Sequence, residues 1–269
     1  MRPAPATVRR LLLVLVLLLW ELVPRAGLLP ELFLPSLSRT LGVLVQNWAE
    51  YAHALVVTLY EVVLAMLIAC GAGILIGALV GGLSLLRQLL LPVVSSLYAV
   101  PIVILYPIFT AWLGVGSQSK IAFAGVYGFF PVMLSTAAGI QSIDQNLLLA
   151  ARSMGASLPQ QITRVVIPAT MPTVLAGLRL GGALAIIGVV VSEMLTAAAG
   201  IGYLVSKYRT VLDSPRVFAA ILTILVLSVL FDALARWVER RTLAWQTAGL
   251  RERGAPMRKE TYVGATAPA

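Results

Sequence analysis

The sequence predicts an all-α polytopic membrane protein with six transmembrane helices. Three observations carry that reading. The chain of 269 residues is 59% hydrophobic and only 12% charged, with a mean hydropathy of +0.94; soluble domains carry about 25% charged residues. Nearly uncharged runs of about 20 residues recur along it. The basic residues behind the formal net charge of +9 sit at the ends of those runs, which fits membrane boundaries and argues against a nucleic-acid partner. One cysteine, Cys70, and one histidine, His53, exclude an internal disulfide and most histidine- or cysteine-based metal and catalytic arrangements.

The spans follow in order. Residues 1–10 form a short basic segment, and the first span covers about 11–23. Pro24-Arg25-Ala26-Gly27 lacks the small-residue pattern of a cleavage site, so the span reads as a retained anchor rather than a cleaved leader. Residues 28–54 read as a loop with short amphipathic structure, holding His53. The second span, 55–83, carries Gly73, Gly77 and Gly81 four residues apart. That spacing sets them on one face, where small residues admit a close neighbour, although glycine is also simply common in membrane helices. Cys70, inside this span, reads as a small buried apolar residue. The third span, 89–113, is interrupted by Pro92, Pro101 and Pro107, each of which removes a backbone donor. A turn from Gly114 to Lys120 precedes the fourth span, 121–140, with Pro131 inside it. The fifth and sixth spans cover 170–198 and 217–237, separated by a loop over 199–216. The tail, 246–269, is basic and polar, and its composition predicts no packed structure.

Six spans place both termini on one side. If that side is cytoplasmic, 13 basic residues lie inside and 6 outside, with Arg179 in a span. The bias predicts cytoplasmic termini and puts 141–169 in the cytoplasm.

That cytoplasmic segment contains "LLLAARSMGASLPQQITRVVIPATMP", residues 147–172. Asp144 is a plausible N-cap for a short helix from Leu147 to Met154. Gly155 suits the left-handed position that ends a helix. Ser157 can cap a second helix with Pro159 in its first turn, and Ile162, Val165 and Val166 give that helix an apolar face. Pro168 and Pro172 then punctuate the start of the fifth span. The product is a bent helix-turn-helix, with Ala150, Ala151, Gly155 and Ala156 around the bend, open to the approach of another protein.

The segment resembles the EAA motif of ABC-importer permeases, EAA-x3-G-x9-I-x-L-P. Ala150, Ala151, Gly155, Ile167 and Pro168 fall at its offsets, with Val165 in the Ile place and Ile167 in the Leu place; Leu149 stands where the family usually has Glu. The stretches "LLLWELVPRAGLLP", "LYAVPIVILYPIFTAWLGVGSQSKI", "FFPVMLSTAAGIQSID" and "VVSEMLTAAAGIGYLV" are similar to permeases of the nitrate/sulfonate/taurine importer group. The resemblance implies a type I, MetI-like fold over residues 11–245. It implies a second permease copy, a dimer of cytoplasmic ABC ATPases seated on the bend, and a periplasmic or lipid-anchored binding protein. Ala150, Ala151, Arg152, Met154, Gly155, Ala156, Ser157, Ile167 and Pro168 would couple to the ATPase. The chain carries no GxxxxGK[ST] loop, so ATP and magnesium are expected on the ATPase and no cofactor on this chain. The implied cargo is a small solute, with a sulfonate-, taurine- or nitrate-like anion favoured over a thiamine pyrimidine or riboflavin.

Glu193 is a path candidate because ionisable groups within spans are costly; the alternative is an interfacial group, or one hydrogen-bonded to a neighbouring helix. Pro101 and Tyr106 are path candidates too, beside a purely kinking role. Arg179 is expected to snorkel to the interface, and Glu61 and Asp232 to be interfacial. Two outside classes, an ion-coupled secondary transporter and an intramembrane enzyme, leave the EAA spacing without a reason.

Overall fold

The computed structural model describes residues 5–196 and 198–243. The tail 246–269 lies outside the described residues. Among the described residues every regular element is a helix. Helix α1 spans Pro5–Arg25, α2 Leu37–Gln46, α3 Trp48–Gly82 and α4 Ser84–Ala99. Helix α5 spans Tyr106–Leu113, behind a 3-10 turn over Ile102–Leu105, and α6 spans Ser117–Gln141. The coupling segment forms α7, Gln145–Ser153, and α8, Leu158–Gln161. Helices α9, Ile167–Thr196, α10, Ile201–Thr210, and α11, Ser214–Thr242, complete the chain.

Four helical stretches are long and apolar enough to cross a membrane: α3, α6, Leu158–Thr196 and α11. The bent pair formed by α4 and residues 102–113 makes a fifth, and the apolar run Leu11–Leu19 of α1 lies in a 21-residue helix. The core is the bundle of α3, α6 and α9. Its packing is close because glycine faces backbone. A Cβ built on Gly77 would lie 2.6 Å from the Met133 carbonyl oxygen, and one on Gly73 2.7 Å from Val132 Cβ. Small residues on both sides let the helices approach this far. By contrast the shaft of α1 is exposed, and the helix is tied down only near its end. There Trp20 donates to the Pro35 carbonyl at 3.0 Å and packs on Phe218, and Glu21 accepts from the Ser38 amide at 2.9 Å.

Several expectations are redrawn. The third span is two pieces bent by 88° between Ala99 and Ile102, because Pro101 supplies no N–H where the ladder would continue. Pro131 lies inside a continuous α6, as expected for the fourth span. Pro168 and Pro172 do not break the fifth span either. A π-helical turn over Ile162–Val166 precedes Pro168, and the helix runs unbroken from Leu158 to Thr196; widened turns of this kind absorb a helix irregularity. His53 sits on α3 rather than in a loop, and the loop expected over 199–216 contains α10. Cys70 is half-buried rather than buried.

Candidate functional site

The α7–α8 bend is built by local rules. The Asp144 carboxylate caps α7, accepting from the Asn146 amide at 2.9 Å. Gly155 follows with φ +75°, and its own amide donates to the Arg152 carbonyl at 2.9 Å while that of Ala156 reaches Ala151 at 3.0 Å. This left-handed residue closes the helix with two bonds to its last carbonyls. Ser157 starts α8 in a capping box with Gln160, whose side chain accepts from the Ser157 amide at 2.9 Å. Gln161 then staples the two arms: buried, it donates to the Ala156 carbonyl at 2.8 Å and accepts from Arg152 Nε at 3.4 Å. Nothing in the motif's spacing marks Gln161.

The outer skin of the bend is apolar. Leu149 is 57%, Met154 81% and Leu158 70% exposed, and Ile167 is exposed further along. Ala150, Arg152, Gly155 and Ser157 are exposed around them, Ala156 and Pro168 half-buried, and Ala151 buried against the body. The nine coupling residues therefore form one patch only in part: Ala151 supports it from behind, and Ile167 and Pro168 lie on the helix leading away.

The end of the bundle away from the bend, its distal end, holds the buried charges. Glu193 accepts from Thr58 Oγ1 at 2.8 Å and from the Gly202 amide at 2.8 Å; Thr58 in turn accepts from the Ile201 amide at 2.9 Å. The pair thus caps the start of α10 from two other helices. Gly200, at φ +106°, lies against the Glu193 carboxylate, and any side chain there would collide with it. Glu193 belongs to this structural cap, the hydrogen-bonded alternative, rather than facing an open path. Glu61 and Lys120 are both buried and ion-paired, so Glu61 is not interfacial and Lys120 is not a loop residue. Arg179 does not snorkel free: its Nε donates to Asp232 at 2.7 Å, and Glu239 lies 3.9 Å away. The Glu50 carboxylate at the start of α3, 2.8 Å from Lys207 on α10, holds that ammonium's pKa above its ordinary value.

Tyr106 is buried, hydrogen-bonded to Thr196 and edge-on to Phe123 at 5.1 Å; it fixes α5 to the end of α9. Pro101 lies exposed at the 88° break and lines a cavity with Tyr98, Tyr127 and Leu184. Of the three path candidates, only Pro101 meets open space. Among the described residues no cluster of three metal-ligating side chains occurs.

Comparison with known proteins gives one consistent answer. Residues 71–244 match the family described as binding-protein-dependent transport system inner membrane component. A putative aliphatic sulfonates transport permease of Bacillus subtilis is 31% identical over 241 residues, covering 88% of this chain and 87% of that one. The taurine transport system permease of Escherichia coli is 30% identical, covering 87% of each. A formylaminopyrimidine transport permease of Halalkalibacterium halodurans is 28% identical, covering 88% and 94%. Among solved structures, an inward-facing conformation of the MetNI methionine ABC transporter superposes with a TM-score of 0.57 at 17% identity, covering 72% of this chain and 94% of its own; at that identity the likeness speaks for the fold.

Proposed function

The chain belongs to the binding-protein-dependent transport system inner membrane component family, and from that premise we propose how it works within an ABC importer. It is the multi-pass permease subunit and not the ATP-hydrolysing one. Two copies pair around a central path, a binding protein delivers solute at the distal end, and an ATPase dimer carrying ATP and magnesium seats the α7–α8 bends. Both termini are cytoplasmic. Closure of the ATPases moves the bend, and rigid helices transmit the displacement to the path.

The observation that carries this reading is the exposed apolar skin at Leu149, Met154 and Leu158. Leu149 lies on α7, Met154 just past its end and Leu158 at the first residue of α8, around a bend held rigid by caps and by Gln161. Such a patch in water marks a protein contact. Leu149 in the usual Glu place suits an apolar counterpart on the ATPase. Deleting residues 150–156 should abolish co-purification of the ATPase while membrane insertion persists; retained ATPase binding would overturn the assignment.

For cargo, similarity to the sulfonate and taurine permeases supports a small oxyanion such as a sulfonate. A thiamine-precursor pyrimidine is the second reading, supported by the formylaminopyrimidine relative at lower identity. Thermal-shift screening of the partner binding protein against taurine, alkanesulfonates and aminopyrimidines separates the two.

A further inference from the structure

The break between α4 and α5 interrupts the α-helical ladder at Pro101, and most residues around it are exposed. Val100 is 45% and Ile104 66% exposed there. Lipid cannot hydrogen-bond free backbone groups, so such a segment must be covered by protein or line a water-filled cavity. The chain provides a cavity of about 240 Å³ at this point, lined by Tyr98, Val100, Pro101, Tyr127 and Leu184 among others. Its depth follows from helix rise. Tyr127 lies ten residues into α6 and Leu184 twelve residues before the end of α9, or about 15 and 18 Å from the distal end at the usual rise per residue. The cavity therefore sits near the middle of a hydrocarbon core of about 30 Å.

The polar side chains among its lining residues are those of Tyr98 and Tyr127. Tyr51, Tyr106 and Tyr208 all spend their hydroxyls on partners within the chain. Those of Tyr98 and Tyr127, like those of Tyr60 and Tyr203 elsewhere, have none among the described residues; what sets Tyr98 and Tyr127 apart is that both line this cavity. Their rings are nevertheless held: Tyr98 stacks on Phe130 with centroids 5.8 Å apart and planes at 26°, and Tyr127 packs on Phe123 at 5.8 Å. No charged side chain lines the cavity. Two fixed donors without a fixed charge suit a solute that must be met in the middle of the membrane and then released.

We propose that Tyr98 and Tyr127 form a transit subsite for a small oxyanion-bearing solute, each hydroxyl donating a hydrogen bond to a solute oxygen at the α4–α5 break. The proposal rests on the importer reading above and adds the residues that meet the solute. The neutral donors favour passage over tight binding, and the packed rings set the donor positions in advance.

The test uses the full complex of permease, ATPase and binding protein in proteoliposomes, with radiolabelled taurine and a neutral aminopyrimidine as probes. Tyr98→Phe and Tyr127→Phe keep the rings and their packing and remove only the hydroxyls. Each should lower kcat/KM for taurine about tenfold, the usual worth of a hydrogen bond to a charged group, and the double variant should lose more. Basal and binding-protein-stimulated ATPase activity should stay at the wild-type level, as should uptake by a Tyr60→Phe control on the exposed face of α3. Wild-type taurine uptake by the double variant, or a wild-type complex that moves only the aminopyrimidine, would overturn the subsite. An ATPase that ignores the binding protein would instead count against the importer reading, so the two failures are distinguishable.

Discussion

At the residue scale, Glu61 and Lys120 show how much a membrane interior raises the stakes of one side chain. Both are buried and paired, and neither Glu61 oxygen accepts a further hydrogen bond. A buried pair owes little net stability to its attraction, but removing one partner strands a charge at a cost of about 3–5 kcal/mol. Glu61→Gln should therefore lower the thermal unfolding midpoint of the purified permease markedly. The double change Glu61→Gln with Lys120→Met should recover much of the loss. A double variant no better than the single one would refute a compensated pair. Gly155 was legible from sequence, since a glycine one residue past a helix with a capping serine behind it has a local reason. Glu193 was visible only as a costly group; its partners Thr58 and Gly202 come from other helices.

At the element scale, the glycine face of α3 sets the geometry of the bundle. Gly73, Gly77 and Gly81 all meet α6 backbone or the first atoms of its side chains. Gly77→Leu would drive a side chain into the Met133 carbonyl, and overpacking of that kind costs about 1–3 kcal/mol. It should cut the yield of folded protein and lower its unfolding midpoint, whereas Gly82→Leu, pointing into open space, should leave both near wild type. Equal behaviour of the two would show that the face does not set the packing. The four-residue spacing offered this face in advance, because it is a property of one helix, and the contacts with α6 decided it against mere glycine abundance. The bend was legible for the same reason: Asp144, Gly155 and Ser157 cap or end helices locally, while the reciprocal bond from Gln160 came with the structure. The continuous helix through Pro168 and Pro172 was not, since a π-helical turn upstream has no composition signature.

At the scale of the whole molecule, charge bias and fold jointly predict which end faces the cytoplasm. The bend lies at one end of the bundle and α10 at the other. With Cys70→Ala as background, a cysteine at Ser153 should react with an impermeant maleimide only from the cytoplasmic side of membrane vesicles. One at Thr210 should react only from the opposite side. Reversed labelling would invert the topology and remove the bend from reach of a cytoplasmic ATPase. The position of α1 belongs to this scale too. Its apolar shaft is exposed and its ties to the body gather at Trp20, Glu21 and Arg25, so its place is set by the polar and aromatic contacts of these three residues rather than by a packed face along the shaft.

The sequence by itself determined the class of protein, the apolar spans, the close-packing face of α3 and the capped bend with its motif. Each is written in composition, in periodicity or in residues a few positions apart. Only the tertiary structure decided that Glu193 caps α10, that Glu61 finds Lys120, that Gln161 staples the bend, and that Tyr98 and Tyr127 share a cavity at an 88° break. Those depend on which helices lie side by side. In an apolar bundle that choice is made by shape and burial summed over many small contacts, and no single stretch of the chain records it.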